Sequence, residues 1–163
     1  MLSDKQNTEL KKIKQWYHTK KGRKPFYYLA GFAGVGKSFL IQYVIEELGV
    51  DAAYGAFTGK ASLILRKKGL VNARTIHSML YIPKVNKQTG EVSFHYNNES
   101  ILRDVDIVVI DECSMVDEKM GTDLLSFGKP VLVLGDPFQL PPIDSAGYFT
   151  KNEPDGMLTE IHR

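Results

Sequence analysis

The residues Gly31-Phe-Ala-Gly-Val-Gly-Lys37-Ser38 fit the pattern G-x-x-x-x-G-K-[ST] and lie between two segments of opposite character. Before them, Pro25-Phe-Tyr-Tyr-Leu-Ala30 reads as a short apolar strand. After them, Phe39 to Leu48 carries apolar residues at positions 40, 41, 44, 45 and 48, which is helical spacing. Strand, glycine loop and helix in that order form a βα unit whose loop can cradle phosphates. Glycines let the loop turn backbone N–H groups toward phosphate oxygens, and the helix N-terminus adds a favourable dipole. Gly34, Val35, Gly36, Lys37, Ser38 and Phe39 are the expected cradle. Lys37 is placed to reach the β- and γ-phosphates, and the Ser38 hydroxyl to ligate Mg²⁺. An ordinary glycine-rich turn is the plain alternative, and the flanking strand and helix argue against it. The pattern implies a bound nucleoside triphosphate.

A chain of 163 residues suits one domain with a substantial core. Its 43% hydrophobic and 25% charged content is ordinary for a soluble globular protein. No apolar run approaches a membrane span, and the N-terminus lacks a signal-peptide pattern. The single cysteine, Cys113, excludes an internal disulfide, suits a reducing cytoplasm and reads as a small buried hydrophobe. Charge is unevenly spread: residues 1–74 sum to +9 and residues 75–163 to −7. That asymmetry favours a polyanionic partner, although the run Lys20-Lys21-Gly22-Arg23-Lys24 reads equally well as a solvated loop.

Ser3-Asp4-Lys5-Gln6 is a capping box that opens a helix to about residue 19, with Leu10, Ile13, Trp16 and Tyr17 as its buried stripe. Gly49 is a natural C-cap for the helix after the glycine loop. Ala52 to Phe57 reads as a strand, residues 60–68 as a helix and Thr75 to Leu80 as a short helix. Leu80 to Val85 and Glu91 to Tyr96 look extended, with a turn at Lys87-Gln-Thr-Gly90, which predicts a protruding β-hairpin. Val105 to Ile110 and Val131 to Leu134 are apolar strands flanking a helix over residues 117–127. Strands alternating with helices imply an α/β fold on a parallel sheet with right-handed crossovers.

Two further segments carry chemistry. Val108-Val109-Ile110-Asp111-Glu112 is an apolar strand ending in two acids, at the strand edge where ligands bind. Asp111 is the candidate Mg²⁺ ligand, and Glu112 the group that orients and deprotonates the attacking water. Gln139, in Gly135-Asp136-Pro137-Phe138-Gln139-Leu140-Pro141-Pro142, is placed to bond the γ-phosphate or that water, unless the segment is only a proline-stiffened turn. Gln6 offers an amide that could read an adenine edge, but its capping-box position explains it equally well.

Taken together, these motifs resemble the first motor domain (1A) of superfamily 1 DNA helicases of the RecD/Dda type, superfamily 1B. Gln6 matches the family's adenine-reading Q motif, Gly31 to Ser38 motif I, and Ala56-Phe57-Thr58-Gly59-Lys60-Ala61 motif Ia. Thr75-Ile76-His77-Ser78 matches motif Ib, Asp111-Glu112-Cys113-Ser114-Met115 motif II, and Gly135 to Pro142 motif III. Leu158-Thr159-Glu160-Ile161-His162-Arg163 looks like the opening of motif IV. The resemblance implies a RecA-like, three-layer α/β/α phosphate-loop NTPase with a mainly parallel sheet. It also implies ATP and Mg²⁺ as cofactors and movement 5′-to-3′ along single-stranded DNA. Motifs Ia and Ib make Thr58, Lys60 and His77 candidates for the DNA backbone, a contact that carries no base information. Thr58 could instead only cap its helix, and a histidine on a short helix is more often structural. The hairpin at 80–97 falls where the family inserts its small 1B subdomain, so Phe94, His95 and Tyr96 could stack on bases. Val92 and Phe94 are expected to anchor the hairpin to its own domain instead, leaving Tyr96 as the DNA candidate.

The sequence stops at Arg163, inside the motif IV match, before the second motor domain, 2A, that the family closes around ATP. The expectation is therefore a monomeric, cytoplasmic fragment or truncated product with weak ATPase, no unwinding of its own, and a second motor domain as a possible partner. An arginine supplied across a domain interface to stabilise transition-state charge is worth roughly 10³–10⁵ in rate; Arg163 is a candidate for such a group, and another would be missing with the second domain. A small-molecule kinase predicts a lid with paired arginines, which no segment supplies. A DNA- or partner-binding module without turnover predicts that Glu112 is dispensable.

Overall fold

The computed structural model describes residues 1–139 and 147–160. In chain order the elements are α1 (Asp4–His18), β1 (Phe26–Gly31), α2 (Lys37–Leu48), β2 (Ala52–Ala56), α3 (Gly59–Lys67), β3 (Arg74–Thr75) and α4 (Ile76–Leu80). They continue with β4 (Tyr81–Val85), β5 (Val92–Tyr96), β6 (Ile107–Asp111), α5 (Glu118–Leu125), β7 (Val131–Gly135) and β8 (Gly156–Leu158). Six strands form one sheet in the order β3-β2-β6-β7-β1-β8, and every recorded pairing within it is parallel. β4 and β5 form a separate antiparallel hairpin.

Alternation along the strands builds the layers. Tyr27, Leu29, Val109, Leu132 and Leu134 point to one face, where they pack on Ile13 and Trp16 of α1 and on Leu40, Ile41 and Val44 of α2. Tyr28, Ala30, Val108, Ile110, Val131 and Val133 point to the other, against Ile76, Met79 and Leu80 of α4 and Leu124 of α5. Strands buried on both faces read as continuous apolar runs, which is why β6 and β7 stand out in the sequence. The result is the three-layer α/β/α arrangement with an attached hairpin.

Local chemistry sets the helix starts. Ser3 caps α1 through Gln6 N–H, and the Gln6 side chain accepts from Ser3 N–H at 3.0 Å. Asp117 caps α5 by accepting from Met120 N–H at 2.8 Å. Gly49, at φ 64°, ends α2 in the left-handed conformation that glycine adopts without strain.

β8, like the two-residue β3, is an element the sequence pattern does not disclose. Its three residues add to the edge of β1, Leu29↔Gly156 to Gly31↔Leu158. Asp155 leads into it, with its carboxylate accepting from Tyr28 N–H at 2.8 Å and from Lys24 at 2.6 Å. Lys24 therefore has a structural partner, while Lys20 and Lys21 of the basic run are exposed.

Candidate functional site

The segments after β1, β6 and β7 all lie at the carboxyl edge of the sheet, where they line a cleft of about 540 Å³. Gly34 and Gly36 have φ of 80° and 81°, and an added Cβ at Gly34 would meet nothing within 4 Å. Their role is conformational: they turn the loop so that its N–H groups face the cleft. Gly36 also begins α2 without any side-chain cap, leaving first-turn N–H groups for an anion. Gly31 answers to space instead, because a Cβ there would stand 2.8 Å from Val35 and 2.9 Å from the Leu158 carbonyl. Val35 is 1% exposed, so its side chain belongs to the core and only its backbone is available to a ligand. Phe39 lines the cleft and packs edge-on against Tyr43 at 5.0 Å.

Lys37 donates to the carbonyls of Gly31 at 2.5 Å and Phe32 at 2.9 Å, folding its ammonium over the loop. Burial lowers its pKa, and the nearby acids, Asp111 first and then Asp136, act in the opposite direction. Asp111 terminates β6 at the cleft and accepts from Glu112 N–H at 3.0 Å. Burial raises its pKa; the Glu112 N–H, Lys68 and Lys37 pull it down. Glu112 stands at φ 54°, the one non-glycine residue with positive φ among the described residues. Such a backbone state costs of order 1–3 kcal/mol and persists where the surroundings enforce it, commonly at functional sites. Here it belongs to an exposed residue that lines the cleft next to Asp111.

Among the described residues no cluster of three or more His, Cys, Asp or Glu is arranged to hold a metal. Mg²⁺ does not need one, since it keeps several waters and takes phosphate oxygens with one or two protein donors. The Ser38 hydroxyl and Asp111 carboxylate, both lining the cleft, are hard oxygen donors that fit this demand.

Gln139 also lines the cleft. Its side-chain oxygen accepts from the Ser114 hydroxyl at 3.1 Å, and its backbone N–H bonds the Asp136 carbonyl at 3.1 Å. This fixes the amide with its NH₂ donors uncommitted among the described residues. Phe138 stacks on Phe32 of the glycine loop at 5.2 Å and 11°, joining the two segments at the rim. Gln42 and Lys68 line the cleft as well, and sequence reasoning missed both. Lys68 read only as the end of a helix, and periodicity gives no hint that it faces the phosphate loop.

Other candidates lie away from the cleft. Gln6 is 3% exposed, its oxygen committed to the capping box, and it is not among the lining residues. Thr58 caps α3 by accepting from Ala61 N–H at 3.1 Å, and Lys60 is exposed in the first turn. His77 is exposed on α4, with its ring 4.7 Å from Phe94 and 4.9 Å from Tyr81. The expected anchoring of the hairpin by Val92 and Phe94 holds only in part: Val92 is 52% exposed, while Phe94, 56% exposed, meets the main body edge-on at the His77 ring. Tyr96 is the anchor, since its hydroxyl meets Ser126 at 2.7 Å and its ring stacks on Phe127 at 5.4 Å. Tyr81 completes the attachment by donating to Asp123 at 2.5 Å under the Lys119 ammonium. Cys113 is fully buried, and burial pushes its thiol up to about 12, so it serves packing. Leu140, Pro141, Pro142, Ile161, His162 and Arg163 lie outside the described residues.

A parallel sheet with a lysine-bearing glycine loop, an acidic strand end and a glutamine converging on one cleft defines a RecA-like phosphate-loop NTPase domain. A family model described as an AAA domain matches residues 7–163. The ATP-dependent DNA helicase dda of Enterobacteria phage T4 is 33% identical over 123 residues, covering 70% of this chain and 27% of that protein. The ATP-dependent RecD2 DNA helicase of Deinococcus radiodurans is 32% identical over 145 residues, covering 83% of this chain and 19% of that protein. The crystal structure of Bacteroides sp Pif1 in complex with ADP-AlF4 superposes with a TM-score of 0.68 at 22% identity, over 99% of this chain and 42% of that one. The chain belongs to this AAA-domain family, in the Pif1/RecD-like branch of superfamily 1 helicases. It spans between 12% and 29% of the length of the curated relatives it matches. Among the described residues no helix is long and apolar enough to cross a membrane.

Proposed function

We propose that residues 1–163 form the first motor domain (1A) of an ATP-driven 5′-to-3′ single-stranded-DNA translocase or helicase, with the 80–97 hairpin as its 1B-like insertion. The observation that carries the reading is the convergence of Lys37, Ser38, Asp111, Glu112 and Gln139 on one cleft. Relatives named as ATP-dependent DNA helicases, and a neighbouring Bacteroides Pif1 structure bound to ssDNA, support DNA as the track.

In this reading the loop N–H groups and Lys37 hold the phosphates, the ammonium exchanging the Gly31 and Phe32 carbonyls for phosphate oxygens. Ser38 and Asp111 would hold Mg²⁺, which neutralises charge on the phosphates when bound. Glu112 takes the proton of the attacking water, and the Gln139 NH₂ bonds that water or the γ-phosphate. The adenine contact of Gln6 and the stabilisation of transition-state charge by Arg163 are proposed on the motif resemblance alone. Thr58, Lys60 and His77 contact the DNA backbone. Phe94, exposed beside His77, is a better base-stacking candidate than Tyr96, which is tied to Ser126. Alone, the chain is expected to turn ATP over slowly and not to unwind duplex, for which a second motor domain is the needed partner.

The test is phosphate release with and without oligo-dT, in Mg²⁺ and in EDTA. Hydrolysis that requires Mg²⁺ and rises with oligo-dT supports the proposal. Phosphate transfer to a nucleoside without DNA would replace it with a kinase, and turnover indifferent to Glu112→Gln would reduce the chain to a binding module.

A further inference from the structure

We propose that Lys68 is a second cationic contact for the terminal phosphates of the nucleotide, delivered into the cleft by α3. The inference rests on reading the cleft as an ATP site. Lys37 and Lys68 are the two cations among the cleft's described lining residues, against the acids Asp111, Glu112 and Asp136. Lys37 already donates to two loop carbonyls. Lys68 makes no ion pair within 4 Å among the described residues, although it lines the cleft together with three acids. An unpaired cation lining an anion-binding cleft is poised for the anion itself.

The root of Lys68 is fixed while its tip is free. Its N–H is shared between the carbonyls of Ile64 and Leu65 at 3.1 Å each, closing the last turn of α3. Its carbonyl accepts from Gln42 Nε2 at 3.0 Å. Gln42 sits on the helix that starts at Lys37 and Ser38, so the phosphate loop and Lys68 share one scaffold. The charge of Lys68 also favours the ionised Asp111 carboxylate, ahead of that of Lys37 among the lysines acting on it. Asp111 marks the metal side of the cleft and Glu112 the water side. A lysine on that side meets the outermost phosphates rather than the sugar or base, and its charge-assisted bond would be lost when the γ-phosphate leaves.

The experiment is titration of the chain with a fluorescent non-hydrolysable ATP analogue and with the matching ADP, both with Mg²⁺, for wild type, Lys68→Ala and Lys68→Arg. Removing a charged hydrogen bond predicts a loss of about ten-fold or more in analogue affinity for Lys68→Ala, and a several-fold smaller loss for ADP. Lys68→Arg should recover most of the analogue affinity, and oligo-dT anisotropy checks that folding and DNA binding survive. Equal analogue affinity in wild type and Lys68→Ala overturns the contact, and equal losses for analogue and ADP overturn its assignment to the terminal phosphates. Wild type that binds neither nucleotide overturns instead the ATP reading on which the inference stands.

Discussion

In the proposed reading two neighbouring carboxylates do different work, and their surroundings separate them. Glu112 is exposed and twisted into positive φ, suited to holding water; Asp111 is partly buried at a strand end, suited to a metal. Glu112→Gln should keep nucleotide affinity while lowering the hydrolysis rate about 10²–10⁴-fold, measured as phosphate release at saturating ATP. Asp111→Asn should lower Mg²⁺-dependent turnover and yet stabilise the nucleotide-free chain. Burial raises the Asp111 pKa, so at pH values between 3.8 and its folded pKa the folded chain holds more protons than the unfolded one. Stability therefore falls as pH rises through that window, and above it the ionised carboxylate remains a cost to the fold. Lys37 mirrors this, with burial lowering its pKa, so that stability rises with pH between its folded pKa and 10.5. Thermal melting at pH 7 without nucleotide should place Asp111→Asn above wild type. A lower melting temperature would mean that Lys37 and Lys68 outweigh the burial of the charge. Both carboxylates were legible in the sequence because an apolar strand ending in acids is a local pattern. Lys68 was not, since its place at the cleft depends on how α3 packs beside α2.

At the scale of elements, the hairpin shows how far alternation carries. Val92, Phe94 and Tyr96 share one face, and so do Tyr81, Pro83 and Val85 opposite them. The pattern therefore gives the hairpin and its faces, but not what a face meets. That depends on α5 and the residues just after it, which bring Asp123, Ser126 and Phe127 against Tyr81 and Tyr96 at the base, while Val92 is exposed and Phe94, also exposed, meets the His77 ring edge-on. Phe94→Ala should weaken oligo-dT binding by about 1–3 kcal/mol, as expected for one lost stacked base, with nucleotide affinity unchanged. Tyr96→Phe, which loses only the bond to Ser126, should lower the melting temperature slightly and barely alter oligo-dT affinity. The reverse pattern, read by fluorescence anisotropy, would return Tyr96 to the DNA. β8 was missed for a different reason: three residues are too few for any period, and their place beside β1 is fixed by Asp155 on the Tyr28 N–H.

At the scale of the whole molecule, the basic and acidic halves of the sequence do not become two faces. β1, from the basic half, lies between β7 and β8 from the acidic half. The charge that survives folding as a continuous feature is more local. Between residues 52 and 90 there are seven Lys or Arg and no Asp or Glu. That stretch contains β2, α3, β3, α4 and the first strand of the hairpin, placing positive charge along one sheet edge and out onto the hairpin. Thr58, Lys60 and His77 belong to the same edge, whereas Lys20 and Lys21 precede β1 at the amino end of the sheet. If the edge tracks the phosphates of single-stranded DNA, oligo-dT affinity should fall linearly on a log–log plot against salt, each phosphate contact contributing a slope of about −0.7. Lys60→Ala should then weaken binding and flatten the slope by about one contact, without base preference. Lys21→Ala, an equal change in net charge at the other end of the sheet, should leave the slope unaltered. Equal flattening by both substitutions would mean that overall charge, and not this edge, holds the strand.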